Sequence, residues 1–153
     1  MDLFDTVDQY ASRHSERYDS SRDLQQVTFV KKAEEWRDRP VCFTAELIGG
    51  GYRATATPLE EFVVEEESES ETTALLARLN WENIGACFLD YDPELRTVVV
   101  TGDYSLTRLK EEQYEDALKS SFDEMIVLLI AYDEALHGDV DGADSSASQN
   151  PAS

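Results

Sequence analysis

Residues 107–137 constrain the fold most. Leu109, Tyr114, Leu118, Phe122, Met125, Leu129, Tyr132 and Leu136 recur there at spacings of three to five, the period of a helix. Around Met125-Ile126-Val127-Leu128-Leu129-Ile130 this helix is apolar on nearly every side, so it must be covered from more than one direction. One domain's sheet covers one side. The rest calls for an N-terminal helix of the same chain, a second subunit or a client protein. The apolar run, 125–132, is far shorter than the ~20 residues that cross a bilayer, so no membrane span is expected.

The N-terminus offers one such cover. Leu3, Phe4, Val7, Tyr10 and Ala11 fall on one helical face. Asp2, Asp5 and Asp8 suit the positive end of that helix dipole, and Arg13, His14 and Arg17 the negative end. Residues 18–22 are polar and read as a break. Residues 23–39 send two signals: Gln26-Val27-Thr28-Phe29-Val30 has strand composition, Lys31-Lys32-Ala33-Glu34-Glu35-Trp36 helix composition. The balance predicts a second helix.

After Pro40 the apolar period becomes two. Val41, Phe43, Ala45 and Leu47 predict a half-buried strand, Gly49-Gly50-Gly51 a hairpin turn, and Tyr52, Ala54 and Ala56 a returning strand. Pro58 marks a bulge or edge position, and Phe62-Val63-Val64 a third strand or a continuation of the second. An acidic run follows, 65–71, with Ser68 and Glu71 at capping-box spacing. Leu75, Leu76 and Leu79 then form a short helical stripe ending at Asn80-Trp81. Two more strands are expected at 86–89 and 97–101, joined by the turn Asp90-Tyr91-Asp92-Pro93-Glu94. From Gly138 the chain reads as a disordered tail.

These elements predict an α+β fold: an antiparallel sheet of about five strands, packed on a long C-terminal helix and N-terminal helices. The chain divides into a helical segment (1–39), an α+β domain (40–137) and a tail (138–153).

Charge narrows the function classes. The 33 acidic and 13 basic residues give a net charge of −20. That field repels phosphate backbones and anionic lipids, which argues against nucleic-acid and membrane-surface partners. Four of the basic residues are lysines and nine are arginines. Acid-rich, lysine-poor chains suit salt-accumulating hosts such as halophilic archaea, because at 1 M salt the Debye length is ~3 Å and self-repulsion fades. An ordinary acidic interaction protein is the alternative. Met1-Asp2-Leu3-Phe4-Asp5 is acidic where a signal peptide would be basic, so a cytoplasmic location is expected. Cys42 and Cys87 read as reduced thiols, able to pair only if their strands are neighbours.

No catalytic motif emerges, and no enzyme, cofactor or metal site is expected. Gly49-Gly50-Gly51 would cradle a phosphate only ahead of a helix, and strand-like residues follow it. Asp139-Val140-Asp141-Gly142-Ala143-Asp144 has the wrong spacing for a calcium loop, whose twelfth position would fall on Asn150. His14 and His137 sit near helix ends, where electrostatics alone favours them. The basic cluster Lys31-Lys32 and Arg37–Arg39 is neutralised by Glu34, Glu35 and Asp38.

The order helix, strands, helix, two strands, long helix resembles the type III secretion chaperone-like fold, and within it the YbjN family, described as sensory transduction regulators. The carrying residues are Leu75-Leu76-Ala77-Arg78-Leu79-Asn80, Cys87-Phe88-Leu89-Asp90-Tyr91-Asp92-Pro93-Glu94 and Thr97-Val98-Val99-Val100. Leu106-Thr107-Arg108-Leu109 and Glu111-Glu112-Gln113-Tyr114 continue the match. It spans roughly 40–137; the segment 18–39, the acidic surface and the tail depart from it. The resemblance implies a non-enzymatic protein that binds a protein partner, often as a homodimer, with no catalytic residue to transfer. The expected partner or dimer surface is Leu3, Phe4, Val7 and Tyr10 on the first helix with Ile126 and Ile130 on the last. The alternative is a small-ligand- or metal-binding protein whose site is assembled only in three dimensions.

Overall fold

The computed structural model describes residues 2–59 and 64–149, with 138–149 described in backbone course only. Its elements are α1 (Leu3–His14), β1 (Arg17–Ser21), β2 (Gln26–Ala33), β3 (Arg39–Ile48), β4 (Gly51–Pro58), α2 (Glu69–Glu82), β5 (Cys87–Asp92), β6 (Thr97–Ser105) and α3 (Tyr114–Gln149). Single 3-10 turns lie at Glu34–Trp36, Glu66–Ser68 and Glu111–Gln113. The six strands form one antiparallel sheet in the order β1-β2-β3-β4-β6-β5. The class is α+β as expected, with six strands where about five were predicted.

The extra pairing comes from residues 17–33. Most of the expected helix over 23–39 is instead β2, and all but the last residue of the polar break at 18–22 lies within β1. Tertiary pairing overrides local propensity here. Val27 opposes Ala45 and Phe29 opposes Phe43, and all four side chains are buried. The helix-forming residues keep only the 3-10 turn at Glu34–Trp36, after which Arg37 and Asp38 turn the chain through left-handed backbone into β3. The boundary drawn after residue 39 therefore falls within β3, which pairs with β2 in one sheet.

Alternation places one side of the sheet inside. Phe29 opposes Phe43, Phe43 opposes Ala56, Ala56 opposes Val100, and Val100 opposes Leu89. All five are buried beneath the helices. The next residues along the strands, Thr28, Thr44, Thr55, Thr101 and Phe88, line up on the opposite face. There the Thr28 and Thr44 hydroxyls meet at 3.3 Å. In the core, the Phe43 ring lies 5.0 Å from Phe29 and 5.4 Å from Phe122 of α3.

The all-round apolar stretch of α3 is covered from several sides by its own chain. The sheet lies beneath it, with α1 and α2 beside it. Leu118, Phe122, Met125, Ile126, Leu128, Leu129 and Tyr132 are all buried. Polar anchors fix the helix over the strands: the Tyr52 hydroxyl meets Ser121 Oγ at 2.7 Å, and the Trp36 indole donates to Asp133 at 2.9 Å. Arg39 pairs with the same Asp133 carboxylate at 3.2 Å.

Local signals meet varied outcomes. Asp2 caps α1, its carboxylate accepting the Asp5 N–H at 2.8 Å. Ser68 precedes α2 as expected, yet its side chain makes no capping bond, because a 3-10 turn leads into the helix. The three glycines do turn the β3–β4 hairpin: Gly49 has φ +58°, and a Cβ on Gly51 would overlap the Tyr104 carbonyl. Of the expected strand at Phe62-Val63-Val64, residues 62 and 63 lie outside the described residues. Val64 is buried outside any strand and donates to the Arg96 carbonyl at 2.7 Å. The stretch expected as a disordered tail, 138–153, instead continues the backbone of α3 to Gln149, and residues 150–153 lie outside the described residues.

Candidate functional site

Four of the six expected surface residues are inside. Phe4, Val7 and Tyr10 turn the apolar stripe of α1 down into the core, and Ile126 is fully buried on α3. Leu3 and Ile130 are half-buried and pack against the same core. In the single chain this stripe is covered by β2 and α3, so it is not an open partner surface.

The two most exposed large apolar residues among those described lie at the other end of the sheet, where α2 runs into β5. Trp81 is 79% exposed, Ile84 81% and Val127, which lines one hollow with Ile84, 56%. Local geometry explains the outward direction. Asn80 turns toward the sheet edge: its Nδ2 donates to the Leu89 carbonyl at 2.9 Å, and its Oδ1 accepts the Leu89 N–H at 2.7 Å. Successive helical residues are ~100° apart, so with Asn80 facing the strand, Trp81 is swung off it. Asn83 ends the helix, its backbone N–H and its Nδ2 both donating to the Leu79 carbonyl, and the chain passes through Ile84 and Gly85 into β5.

Between this corner and α3 lies a hollow of about 180 Å³, lined by Asn83, Ile84, Gly85, Cys87, Glu124, Val127 and Leu128. The Glu124 Oε1 accepts from the Tyr104 hydroxyl at 3.1 Å and from the Cys87 thiol at 3.3 Å. Burial pushes the Cys87 thiol up to about 11. It pushes the Tyr104 phenol up as well, with Cys87 and Glu124 adding to the rise. At neutral pH both groups therefore keep their protons and act as donors; neither is a nucleophile. The arrangement holds a carboxylate in place beside an apolar mouth.

Other hollows among the described residues are differently lined. One of about 300 Å³ sits by the β3–β4 hairpin between Ile48, Gly50 and Thr107, and one of about 480 Å³ lies among the mixed charges of Arg13, Lys31, Glu34 and Asp38. His14 packs its ring 4.6 Å from that of Tyr10, and the His137 imidazole meets Asp133 at 2.8 Å. The side chains of the calcium-like stretch 139–144 lie outside the described residues. Among the described residues no three His, Cys, Asp or Glu come together to hold a metal ion. No described helix is long and apolar enough to cross a membrane. Cys42 on β3 and Cys87 on β5 are free. Two strands separate theirs, about 14 Å at the usual strand spacing, so they are not the neighbours a disulfide would need.

Sequence legibility at the corner is uneven. The stripe Leu76 and Leu79 is buried as its spacing predicts, whereas Trp81 and Ile84 were not read as a surface. The usable signal was phase: a tryptophan two residues past Leu79 falls off the buried stripe.

No family model matches this chain, and no curated protein matches it. Among solved structures it is similar to that of YbjN, a candidate transcription regulator from E. coli. The TM-score is 0.58 at 16% identity, covering 88% of this chain and 92% of that one. The likeness establishes a shared fold.

Proposed function

We propose that this protein is a non-enzymatic, protein-binding adaptor of regulatory type that receives its partner at the corner formed by α2, β5 and α3. The observation that carries this reading is the exposure of Trp81 and Ile84 at the end of α2, with Val127 exposed in the hollow that Ile84 lines. A tryptophan left in water at a rigid corner is the residue type that most often dominates binding when covered. Fold likeness to a candidate transcription regulator is consistent with a regulatory role. The surplus of 33 acids over 13 basic residues suits work in a salt-rich cytoplasm, where screening removes the self-repulsion.

The test is comparative capture at high salt from the source organism. Tagged wild-type protein and the Trp81→Ala/Ile84→Ser variant would be used in parallel. A protein recovered in stoichiometric amount by the first and lost from the second is the expected result. Identical recovery by both contradicts the reading.

A further inference from the structure

We infer that the hollow between Ile84 and α3 receives a lysine or arginine side chain from a basic amphipathic helix of the partner protein. This rests on the adaptor reading and specifies the partner's chemistry. The volume, about 180 Å³, is below the ~300–1,000 Å³ typical of small-molecule sites, yet ample for one long side chain. The lining suits a side chain with an apolar stem and a cationic tip. Ile84, Val127 and Leu128 offer the stem apolar contact, and Glu124 is the one charged residue in the wall.

That carboxylate is prepared for a cation. Both its hydrogen bonds, from Tyr104 and Cys87, fall on Oε1. Oε2 takes none from the described residues, and no described basic group lies within ion-pair distance of Glu124. The nearby cations are engaged elsewhere: Lys119 pairs with Asp123 at 2.9 Å, and Arg78 with Glu82 at 3.9 Å. Electrostatic complementarity therefore favours a basic partner.

The partner's backbone form is also constrained. Strand addition to β5 needs the outward N–H and C=O of Leu89, and the Asn80 amide already occupies both. At Leu89 docking therefore proceeds through side chains, as in helix-in-groove recognition. The apolar residues of the helix would cover Ile84 and Val127 while its cation reaches Glu124.

Fluorescently labelled helical peptides with one leucine stripe and a polar face of Lys, Gln or Glu are the probes. Their binding to the full chain is measured by anisotropy. The Lys peptide is expected to bind and the Glu peptide not. Glu124→Gln should weaken the Lys peptide by about tenfold, the range of a charge-assisted hydrogen bond, while Glu94→Gln, an equal loss of charge in the β5–β6 turn, should leave it unchanged. If the Gln peptide binds as well as the Lys peptide and Glu124→Gln has no effect, the cation inference fails and the docking reading survives. Equal weakening by Glu94→Gln and Glu124→Gln overturns the inference as general attraction to an acidic surface. Lys-peptide binding that survives Trp81→Ala with Ile84→Ser, or no binding by any peptide, overturns the inference and the docking reading together.

Discussion

The N-terminal helix and the end of α2 carry apolar residues of similar size and meet opposite fates. In α1, Phe4, Val7, Tyr10 and Ala11 stay in helical phase and close over β2 and α3. In α2 the phase belongs to Leu76 and Leu79, and Trp81 leaves it. Periodicity reports that a face will be covered; it does not report by what. A long in-phase stripe is most cheaply covered by the chain that carries it. A large apolar residue out of phase has no intramolecular partner waiting, so it better marks a surface held open for another molecule.

The sharpest way to break this contrast is to place a charge at each site. Val7→Asp would bury a carboxylate among apolar neighbours and is expected to unfold the domain or cost more than about 4 kcal/mol. Ile84→Asp should leave the denaturant midpoint within about 0.5 kcal/mol of wild type. On the same covered side, Leu129→Ala should cost about 2–5 kcal/mol, because the side chain is fully buried. Equal effects at residues 7 and 84 would erase the distinction.

Alkaline titration probes the covered region by another route. Burial pushes the Tyr10 and Tyr52 phenols up to about 12 from 10.0, and the Cys87 thiol up to about 11 from 9.0. The folded protein thus holds these protons more tightly than the unfolded chain. The resulting stabilisation is complete below pH 9 and is lost as the pH climbs through 11 and 12. Urea midpoints between pH 8 and 12 should fall in that window; a flat profile would place these groups in water.

How much of this was legible follows from the same contrast. The hairpin, the paired strands after α2 and the long final helix were readable because their apolar periods agree with their tertiary roles. β2 was not, since Lys31 to Trp36 favours helix locally and only the pairing of Phe29 with Phe43 decides for strand. The candidate corner was unreadable for a related reason. Its direction is set by Asn80, whose amide grips Leu89 nine residues away, and composition does not announce such a contact.

That grip gives a smaller effect. Asn80→Ala strips two hydrogen bonds from Leu89 and should cost about 1–3 kcal/mol. It also exposes the β5 edge, so sedimentation should show concentration-dependent association beyond that of wild type. An unchanged stability and a monomeric variant would mean that Asn80 does not guard the edge.

The central claim is that Trp81 stands in water in the free protein while Trp36 is enclosed. Emission and acrylamide quenching of wild type minus those of Trp81→Phe isolate Trp81 without disturbing the core. The account predicts a red-shifted difference spectrum, quenched nearly as readily as free tryptophan, and a shift to the blue when the Lys peptide binds. A blue, protected difference spectrum in the free protein would contradict it, because the corner would already be covered.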